Sequence, residues 1–547
     1  MIVKTKDRLV KNIVTWRWEF GLIFVFCCFV IVNAIVLYWD NIYPEYDSAG
    51  FVFTAYELAG QVQRGEMPRL REPIMNPPLF EYVMMVVILL FGRSIDIITQ
   101  TNLLFAILLF LGLYGIGKRL YGPAEGFLIV VVCVSMPGVF GMSRLLWHEF
   151  PLMCVLPFSY YLLFKTERFT RLSYVVWWAV SVGAALLIRS TTCVYIGIPV
   201  LIYVLISLYH EKNKSLVVRR VMLSVCIIFL TTWWWYHENG GFMRSQYNKF
   251  FNLHKQHYVT PVVECIRFAA VSICENDLYV PLYVLFIIAF PFLFIRSSFE
   301  TKLIGIGILT PLLIHAFSKL TLGFGSNRFF IPMLPLMAIA IGNFYHNIKN
   351  KRPRKMVFIS LIIISCVQVI LVNTGHGRML QMGDRNATVH NATNIIIEGG
   401  KKMPRENSID LDELLETMQT LKKKETIDIL MLMNDQQIEN SFYFAGFHKS
   451  YLINIKQPCL PAYESRLEGG GYDDTTLLDE AEFVLSVNRR VEHNIDAWPF
   501  YATEWIPNIM NEFERRKDEY KKVRTMINNY DDEVILYQRI KRSNDED

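Results

Sequence analysis

Long apolar runs alternate with short polar segments over roughly the first two thirds of the chain. One of them, "GLIFVFCCFVIVNAIVLYW", carries no charge, and the later runs are similar in character. Runs that approach ~20 residues with few charges are typical of helices that cross a bilayer. We therefore predict transmembrane helices near residues 20–39, 98–117, 126–142, 150–164, 172–188, 191–209, 220–236, 279–295, 302–317, 329–345 and 356–373. This pattern predicts a polytopic α-helical membrane protein with about 11 transmembrane helices.

The run 78–92, "PLFEYVMMVVILLFG", does not fit this series. It is short, it starts at the pair Pro77-Pro78, and it contains Glu81, so a re-entrant or interfacial helix fits it better than a full span. If this run does not cross the membrane, the basic N-terminus and the most basic loops all fall on the cytoplasmic side. The first external loop, 40–97, and the C-terminal tail are then extracytoplasmic.

The C-terminal tail has mixed polar and charged sequence with both helical and strand patterns. In "SIDLDELLETMQTLKKKE", Leu411, Leu414, Leu415 and Met418 fall on one helical face. The stretches "IDILMLM", "SYLINI" and "AEFVLSV" have the character of short strands. We predict a transmembrane domain over 1–375 and a soluble extracytoplasmic α/β domain over 376–547.

Composition supports a membrane protein and weakens other classes. The chain has 547 residues, of which 53% are hydrophobic and 19% charged, with a mean hydropathy of +0.28. The net charge of +5 comes from short loops between apolar runs, so it does not indicate nucleic-acid binding. We expect a multi-pass protein of the plasma, inner or endoplasmic reticulum membrane. Cys265 and Cys274 share one external loop and are candidates for a disulfide bond.

The first external segment, "YPEYDSAGFVFTAYELAGQVQRGEMP", places carboxylates directly after a membrane helix. Its apolar positions from 49 to 63 follow the helical period, which predicts a helix lying in the interface plane. Asp47 or Ser48 would be its N-cap, and a carboxylate there stabilises free N–H groups and the helix dipole. A carboxylate in this position also suits an active site, so both interpretations of Asp47 stay open.

Several segments in order resemble a known membrane family. They are "YDSAGFVFTAYELAGQVQRGEMP", "MNPPLFEYVMMVVILLFG", "GIGKRLYGPAEGFLIVVVCVSMPG", "SRLLWHEFPLMCVLPFSYYLLFKT" and "NRFFIPMLPLMAIAIG". Together they resemble the membrane domain of the GT-C glycosyltransferases over about residues 20–345. The more similar members are the dolichyl-phosphate-mannose protein mannosyltransferases and the bacterial lipid A aminoarabinose transferases. The resemblance does not extend to the tail after residue 375.

The resemblance implies transfer of a sugar from a polyprenyl-phosphate donor on the extracytoplasmic side. The acceptor would be a protein, a lipid or a cell-surface glycan. Asp47 stands where the family has an Asp-Glu pair and is the expected general base, but Ser48 replaces the second acid. Met75-Asn76 stands where aminoarabinose transferases tend to have Glu-Lys, which argues against the aminoarabinose substrate.

Further candidates lie on the predicted external side. Glu149 matches the family position of a second catalytic acid, and Arg328 matches a basic residue near the lipid phosphate. Arg144 is either a phosphate ligand or an interfacial anchor, and His148 either assists a metal ion or is simply solvated. The candidate substrate-binding residues are Tyr46, Glu81, Arg144, His148, Arg189, Lys319 and Arg328. No cofactor is indicated with certainty, and a divalent metal ion is left open without assigned ligands.

Two other functions and one aromatic motif remain open at this stage. A transporter or flippase for lipid-linked sugars would favour paired repeats and charges near the bilayer midplane, neither of which is evident. A non-catalytic glycolipid-binding relative is compatible with the reduced acidic pair at Asp47-Ser48. The three tryptophans in "TTWWWYHE" (231–238) are either a sugar-stacking platform or an aromatic belt at the membrane boundary.

Overall fold

The structure is a computed structural model. It describes residues 2–39, 47–70, 76–257, 262–295, 297–318, 328, 330–374, 411–422, 427–432, 453–456, 478, 481–488, 506–527 and 533–540. Two compact units are distinguished, one of Met1–Trp39 with Thr54–Pro404 and one of Asp40–Phe53 with Arg405–Asp547. The predicted domain boundary at 375/376 falls outside the described residues and stays a prediction.

The first unit is built from helices. In chain order they are α1 (Ile2–Trp39), α2 (Asp47–Gln63, whose first residues belong to the second unit), α3 (Leu79–Phe91), α4 (Ile95–Thr99), α5 (Thr101–Leu120), α6 (Pro123–Val134), α7 (Pro137–Ser143), α8 (Glu149–Lys165), α9 (Leu172–Ile188), α10 (Thr192–His210), α11 (Lys214–His257), α12 (Val262–Ser272), α13 (Tyr279–Ala289), α14 (Phe299–Ser318), α15 (Leu334–Asn347) and α16 (Lys351–Asn373). A π-helical turn, Ile273–Leu278, joins α12 to α13.

Helices occupy every segment predicted to cross the membrane. Six of the described helical segments are long and apolar enough to cross a bilayer, or seven if the bent pair α6–α7 is one span. The chain is therefore a polytopic integral membrane protein, while the predicted number of eleven spans is not confirmed. α3 has 13 residues and is about 20 Å long, too short for a hydrocarbon core about 30 Å thick.

Two predictions made from the sequence are corrected. The segment 126–142 is not one helix, because Pro137 begins α7 and the axes of α6 and α7 differ by 66°. Proline lacks the N–H that would continue the helix and its ring clashes with the preceding turn. Cys265 and Cys274 are both free thiols. They lie nine positions apart along the α12 and π-helical segment, about 13 Å of rise, which is too far for a disulfide bond.

Ion pairs and hydrogen bonds define one end of the helical unit, here called the basic end. It contains the connections α5–α6, α8–α9, α10–α11, α13–α14 and α15–α16. The contacts that join them include Lys118–Glu19 at 2.7 Å, Arg119–Glu167 at 3.9 Å, Arg168–Glu211 at 3.6 Å, Tyr121–Thr301 at 3.0 Å and His346–Glu125 at 3.6 Å. These are the basic loops that the charge pattern groups on the cytoplasmic side.

The opposite end of the helical unit, here called the site end, contains the connections α7–α8 and α9–α10, with Arg328 just before α15. The C-terminal ends of α1 and α16 also lie there. α5 and α16 run the full distance between the two ends, since each has a basic-end contact near one terminus and a site-end contact near the other.

The second unit contains a five-stranded mixed sheet. Its strands are β1 (Ile427–Leu432), β2 (Ile453–Lys456), β3 (Phe483–Asn488), β4 (Tyr520–Ile527) and β5 (Glu533–Arg539), in the order β2-β1-β3-β5-β4. β1 pairs in parallel with β2 and β3, whereas β5 pairs antiparallel with β3 and β4. The predicted α/β layer is thus confirmed, and β4 and β5 are strands that the sequence analysis missed.

Helices α17 (Leu411–Leu421) and α18 (Ile506–Arg515) accompany this sheet. Leu414, Leu415 and Met418 of α17 are fully buried, as their common helical face predicts. Phe513 of α18 packs its ring 5.2 Å from Tyr520 and 5.1 Å from Tyr537. Apolar burial on this scale gives the tail a core of its own.

Candidate functional site

The centre of the site end is Glu149, the first residue of α8. Its Oε1 atom accepts a hydrogen bond from Nη1 of Arg189, the residue that ends α9. Nε of Arg328 lies 3.6 Å from the same carboxylate oxygen. Three segments that are distant in sequence therefore converge on one carboxylate, and three residues predicted from the sequence form one cluster.

The burial and charge of this cluster are unequal among its members. The Glu149 side chain is 3% exposed, Arg189 is 11% exposed and Arg328 is 22% exposed. A buried carboxylate needs close cationic partners because its desolvation costs several kcal/mol. Glu149 has two such partners within 4 Å, Arg189 and Arg328. Two guanidinium groups beside one carboxylate at the end of membrane helices suit the binding of an anionic group.

Trp147 forms the apolar wall of this cluster. Its side chain is buried, and the guanidinium carbon of Arg328 lies 5.3 Å from the centre of its ring. A cation over an indole face is attracted by the negative potential of the ring. The contact orients Arg328, whose side chain stays 22% exposed.

His148 and Glu81 form a second buried pair next to the first. Nε2 of His148 lies 3.1 Å from Oε1 and 3.3 Å from Oε2 of Glu81, and both side chains are at most 1% exposed. The Phe80 ring packs edge-on against the imidazole at 5.6 Å. The pair links α3 to the residue that immediately precedes α8.

Arg144 lies in a third polar cluster, with two asparagines. Its Nε donates to Asn33 Oδ1 at 3.0 Å, and its Nη2 donates to Asn373 Oδ1. Ser143 Oγ also donates to Asn33 Oδ1 at 3.0 Å. Arg144 is 2% exposed, so it joins α1, the α7–α8 connection and α16. The sequence analysis considers Arg144 as a phosphate ligand or as an interfacial anchor, and its buried position matches neither directly. Its role in phosphate binding stays a prediction.

The three tryptophans after Thr232 do not share one environment. Trp235 is fully buried, whereas Trp233 and Trp234 are partly exposed. The Trp234 ring packs edge-on against Tyr82 of α3 at 6.3 Å. This arrangement is compatible with both the aromatic belt and the stacking platform, so that choice stays open.

The remaining predicted site residues are only partly covered by the structure. α2 begins at Asp47, and the N-cap role of Asp47 or Ser48 stays a prediction. The Asp47 side chain and the residues Tyr46 and Lys319 lie outside the described part of the chain. Further along α2, the Tyr56 hydroxyl donates to the Arg93 carbonyl at 2.7 Å. Burial raises the Tyr56 pKa well above its ordinary value, although nearby Arg93 acts in the opposite direction.

Metal binding has no support from the side chains that the structure describes. Among them, no group of three or more His, Cys, Asp and Glu residues is arranged to hold a metal ion.

The sequence analysis missed three asparagines that organise the site end. Asn33, Asn102 and Asn373 are buried or half-buried within apolar helices. Asn102 Nδ2 donates to the carbonyls of Ser143 at 3.1 Å and Leu145 at 2.8 Å. Polar residues within membrane helices are functional candidates by default. That signal was present in the sequence and would have identified them.

Comparison with known proteins supports the resemblance seen in the sequence. Residues 75–235 match the family model of the dolichyl-phosphate-mannose-protein mannosyltransferases. This match covers less than a third of the chain and includes α3, α8 and the Glu81, Glu149 and Arg189 positions. A comparison with curated protein sequences gives no significant match.

Solved structures share the fold over nearly the whole chain. ArnT from Cupriavidus metallidurans in the apo state has a TM-score of 0.59 at 12% identity, covering 95% of this chain and 98% of that chain. The same protein bound to undecaprenyl phosphate has a TM-score of 0.56 at 12% identity, covering 94% and 98%. Arabinofuranosyltransferase AftD from mycobacteria has a TM-score of 0.48 at 11% identity, covering 95% and 40%.

The chain therefore has the fold of a GT-C membrane glycosyltransferase, and the resemblance seen in the sequence is confirmed.

Proposed function

We propose that this protein transfers a sugar from a polyprenyl-phosphate-linked donor to a protein, lipid or glycan acceptor. The reaction would take place at the site end, on the extracytoplasmic face of the membrane. The observation that carries the proposal is the pairing of one buried carboxylate, Glu149, with two arginines. The solved ArnT structure with bound undecaprenyl phosphate supports the choice of donor class.

The two guanidinium groups would bind the donor phosphate. Negative charge grows on the phosphate as the glycosidic bond breaks, and positioned cations stabilise that charge in a site of low dielectric. Arginine suits this role because its planar fork presents several N–H donors to phosphate oxygens. Glu149 would orient Arg189 and Arg328, because its Oε1 accepts a hydrogen bond from Arg189 and lies 3.6 Å from Nε of Arg328.

Asp47 would be the general base in this scheme. The acceptor oxygen attacks the anomeric carbon, and the bond from that carbon to the phosphate oxygen breaks. The phosphate leaves with the bonding electrons, and the acceptor proton moves to the Asp47 carboxylate. A carboxylate is adequate here because the phosphate is already a good leaving group, so that only the acceptor needs activation.

The first test is transfer by detergent-purified protein from synthetic polyprenyl-phosphate hexoses to mixed acceptors. Asp47→Asn preserves size and some capping capacity but removes the base. We expect transfer to fall at least about 100-fold, the lower range for general-base catalysis, with Tm and donor binding retained.

The matched control is Asp96→Asn. Asp96 is another acidic residue in the first turn of a helix, α4, within the same predicted external loop. We expect this variant to transfer normally. Full activity of Asp47→Asn would make Asp47 a helix cap and redirect the search for the base to Glu45, Asp40 or Glu149. Donor binding without transfer by the wild type would favour a binding protein or a transporter.

A further inference from the structure

The segment Ser143–Glu149, which connects α7 to α8, is buried along its whole length. Connecting segments usually run over the surface, because buried irregular backbone leaves polar groups that must find partners. Here Asn102 supplies such partners by donating to the carbonyls of Ser143 and Leu145. The segment is thus held as a fixed part of the protein interior, and it delivers Trp147 and Glu149 to the site end.

The other end of this segment is held by the pair of Glu81 and His148. Both carboxylate oxygens of Glu81 lie within 3.3 Å of His148 Nε2. Phe80 packs against the same ring, and both polar side chains are almost completely buried. Both side chains are therefore shielded from solvent. The Glu81 carboxylate and Nε2 of His148 are hydrogen-bonding partners of each other.

His148 directly precedes Glu149, so a shift of the imidazole moves the first turn of α8. Glu149 in turn holds Arg189 through a hydrogen bond and attracts Arg328 at 3.6 Å. The distance and angle of both guanidinium groups therefore depend on where His148 is fixed. A misplacement of a positioned group by about 1 Å is enough to cost a large part of its effect.

We propose that Glu81 and His148 are a positioning pair: α3 fixes the start of α8 through them and so sets the arrangement of the Glu149, Arg189 and Arg328 cluster. They act through Glu149 and do not contact the substrate. This inference rests on the proposed function, since it assigns the cluster to binding of a phosphate group. It also gives α3 a role, because a helix too short to cross the membrane carries the residue that orders the site.

Two substitutions of Glu81 separate positioning from direct contact. Glu81→Gln keeps the shape and the acceptor oxygen for His148 but removes the charge, whereas Glu81→Leu removes the acceptor. Binding of undecaprenyl phosphate to the purified protein is the measurement. We expect Glu81→Leu to weaken binding about tenfold and Glu81→Gln to weaken it by no more than about threefold.

The matched control is Glu125→Leu. Glu125 is also a buried carboxylate of a membrane helix, but it pairs with Arg354 and His346 at the basic end. Glu125→Leu should lower Tm by about as much as Glu81→Leu does. Its affinity for undecaprenyl phosphate should stay at the wild-type value. The comparison separates a general loss of stability from a specific change at the site end.

Amide hydrogen exchange over residues 143–150 tests the positioning step without any ligand. Glu81→Leu should increase exchange in this segment, and Glu125→Leu should not. If wild-type protein fails to bind undecaprenyl phosphate, the proposed function fails, but this exchange difference still tests the positioning pair. Equal loss of binding in Glu81→Gln and Glu81→Leu, or no change of exchange in Glu81→Leu, would overturn the inference.

Discussion

Three buried carboxylates of the helical unit show how one residue type acquires different roles. Glu81 pairs with a histidine, Glu125 pairs with an arginine and a histidine at the basic end, and Glu149 pairs with two arginines. All three need partners, because an unpaired buried carboxylate would cost several kcal/mol. Of these three carboxylates, only Glu149 has two arginines as its closest partners. The fixed positive charge of the two arginines exceeds the negative charge of one carboxylate. That difference in charge, rather than burial, is the reason we propose an anion site around Glu149.

Arg328 is the residue at which this charge can be tested with the least disturbance. It is the most exposed member of the cluster and lies 3.6 Å from Glu149. Removing Arg189 instead would leave a buried carboxylate with a lost hydrogen bond and cost about 3–5 kcal/mol. We expect Arg328→Ala to weaken undecaprenyl phosphate binding about tenfold and to change Tm little.

Arg328→Lys keeps the charge but loses the planar fork and should recover part of that affinity. Equal affinity for an uncharged polyprenol in wild type and in Arg328→Ala is the control for nonspecific lipid binding. Unchanged affinity for the phosphate in Arg328→Ala would place the lipid headgroup away from this cluster.

The packing of α5 against α8 is the element-scale basis of the site. At Gly112 of α5, a Cβ atom would lie 2.5 Å from the backbone nitrogen of Phe158 in α8. Pro157 interrupts the hydrogen-bond ladder of α8 beside this point. The absence of a side chain at Gly112 therefore lets two helix backbones approach closely, as small residues do in membrane helix pairs. This contact fixes α8, which begins with Glu149.

Gly112→Leu should lower Tm in detergent, since backbone atoms must move to admit the side chain and overpacking costs about 1–3 kcal/mol. Gly197→Ala in α10 is the control, because no other atom lies within 4 Å of a Cβ placed there. A thermal unfolding series measured by intrinsic fluorescence would compare them. Equal Tm values for the two variants would show that the close approach of α5 and α8 is dispensable.

At the scale of the whole molecule, the two ends of the helical unit are chemically different. The basic end collects loops rich in lysine and arginine, joined by ion pairs between successive connections. The site end has buried polar clusters around Glu149, His148 and Arg144. Basic loops are retained on the cytoplasmic side during insertion. The orientation predicted from the sequence therefore places the site end outside the cytoplasm.

Reporter fusions in a bacterial host test this orientation. Alkaline phosphatase joined after residue 547 should be active, because the enzyme folds only outside the cytoplasm, where its disulfide bonds form. The same enzyme joined in the α10–α11 connection, at residues 211–213, should be inactive, whereas green fluorescent protein should fluoresce there. The reverse pattern would invert the topology and with it the proposed extracytoplasmic reaction.

Hydropathy and periodicity were sufficient for much of the fold. Apolar runs gave the positions of the membrane helices, and the common face of Leu414, Leu415 and Met418 gave α17. β4 was missed because the charged residues Lys521, Lys522 and Arg524 in "YKKVRTMI" interrupt the apolar alternation that is typical of a strand. The break before α7 was also missed, although Pro137 is visible in the sequence. A single proline in a long apolar run permits either a kink or a new helix.

The sequence alone determined two features of the site. It determined which chemistry was present, because Glu81, His148, Glu149, Arg189 and Arg328 are among the ionisable groups near the ends of apolar runs. It also determined which loops are basic, and hence the predicted orientation, since that rule depends on composition and order rather than on packing.

Only the tertiary structure decided which of these groups meet. Glu149, Arg189 and Arg328 are separated by tens of residues in sequence and converge because α8, α9 and the segment before α15 all have their termini at the site end. Arg144 has the same charge as the two arginines of this cluster and lies only five positions before Glu149. It nevertheless donates hydrogen bonds to Asn33 and Asn373. Partner choice follows from helix packing, because hydrogen bonds and ion pairs form over about 3–4 Å and sequence patterns do not resolve such distances.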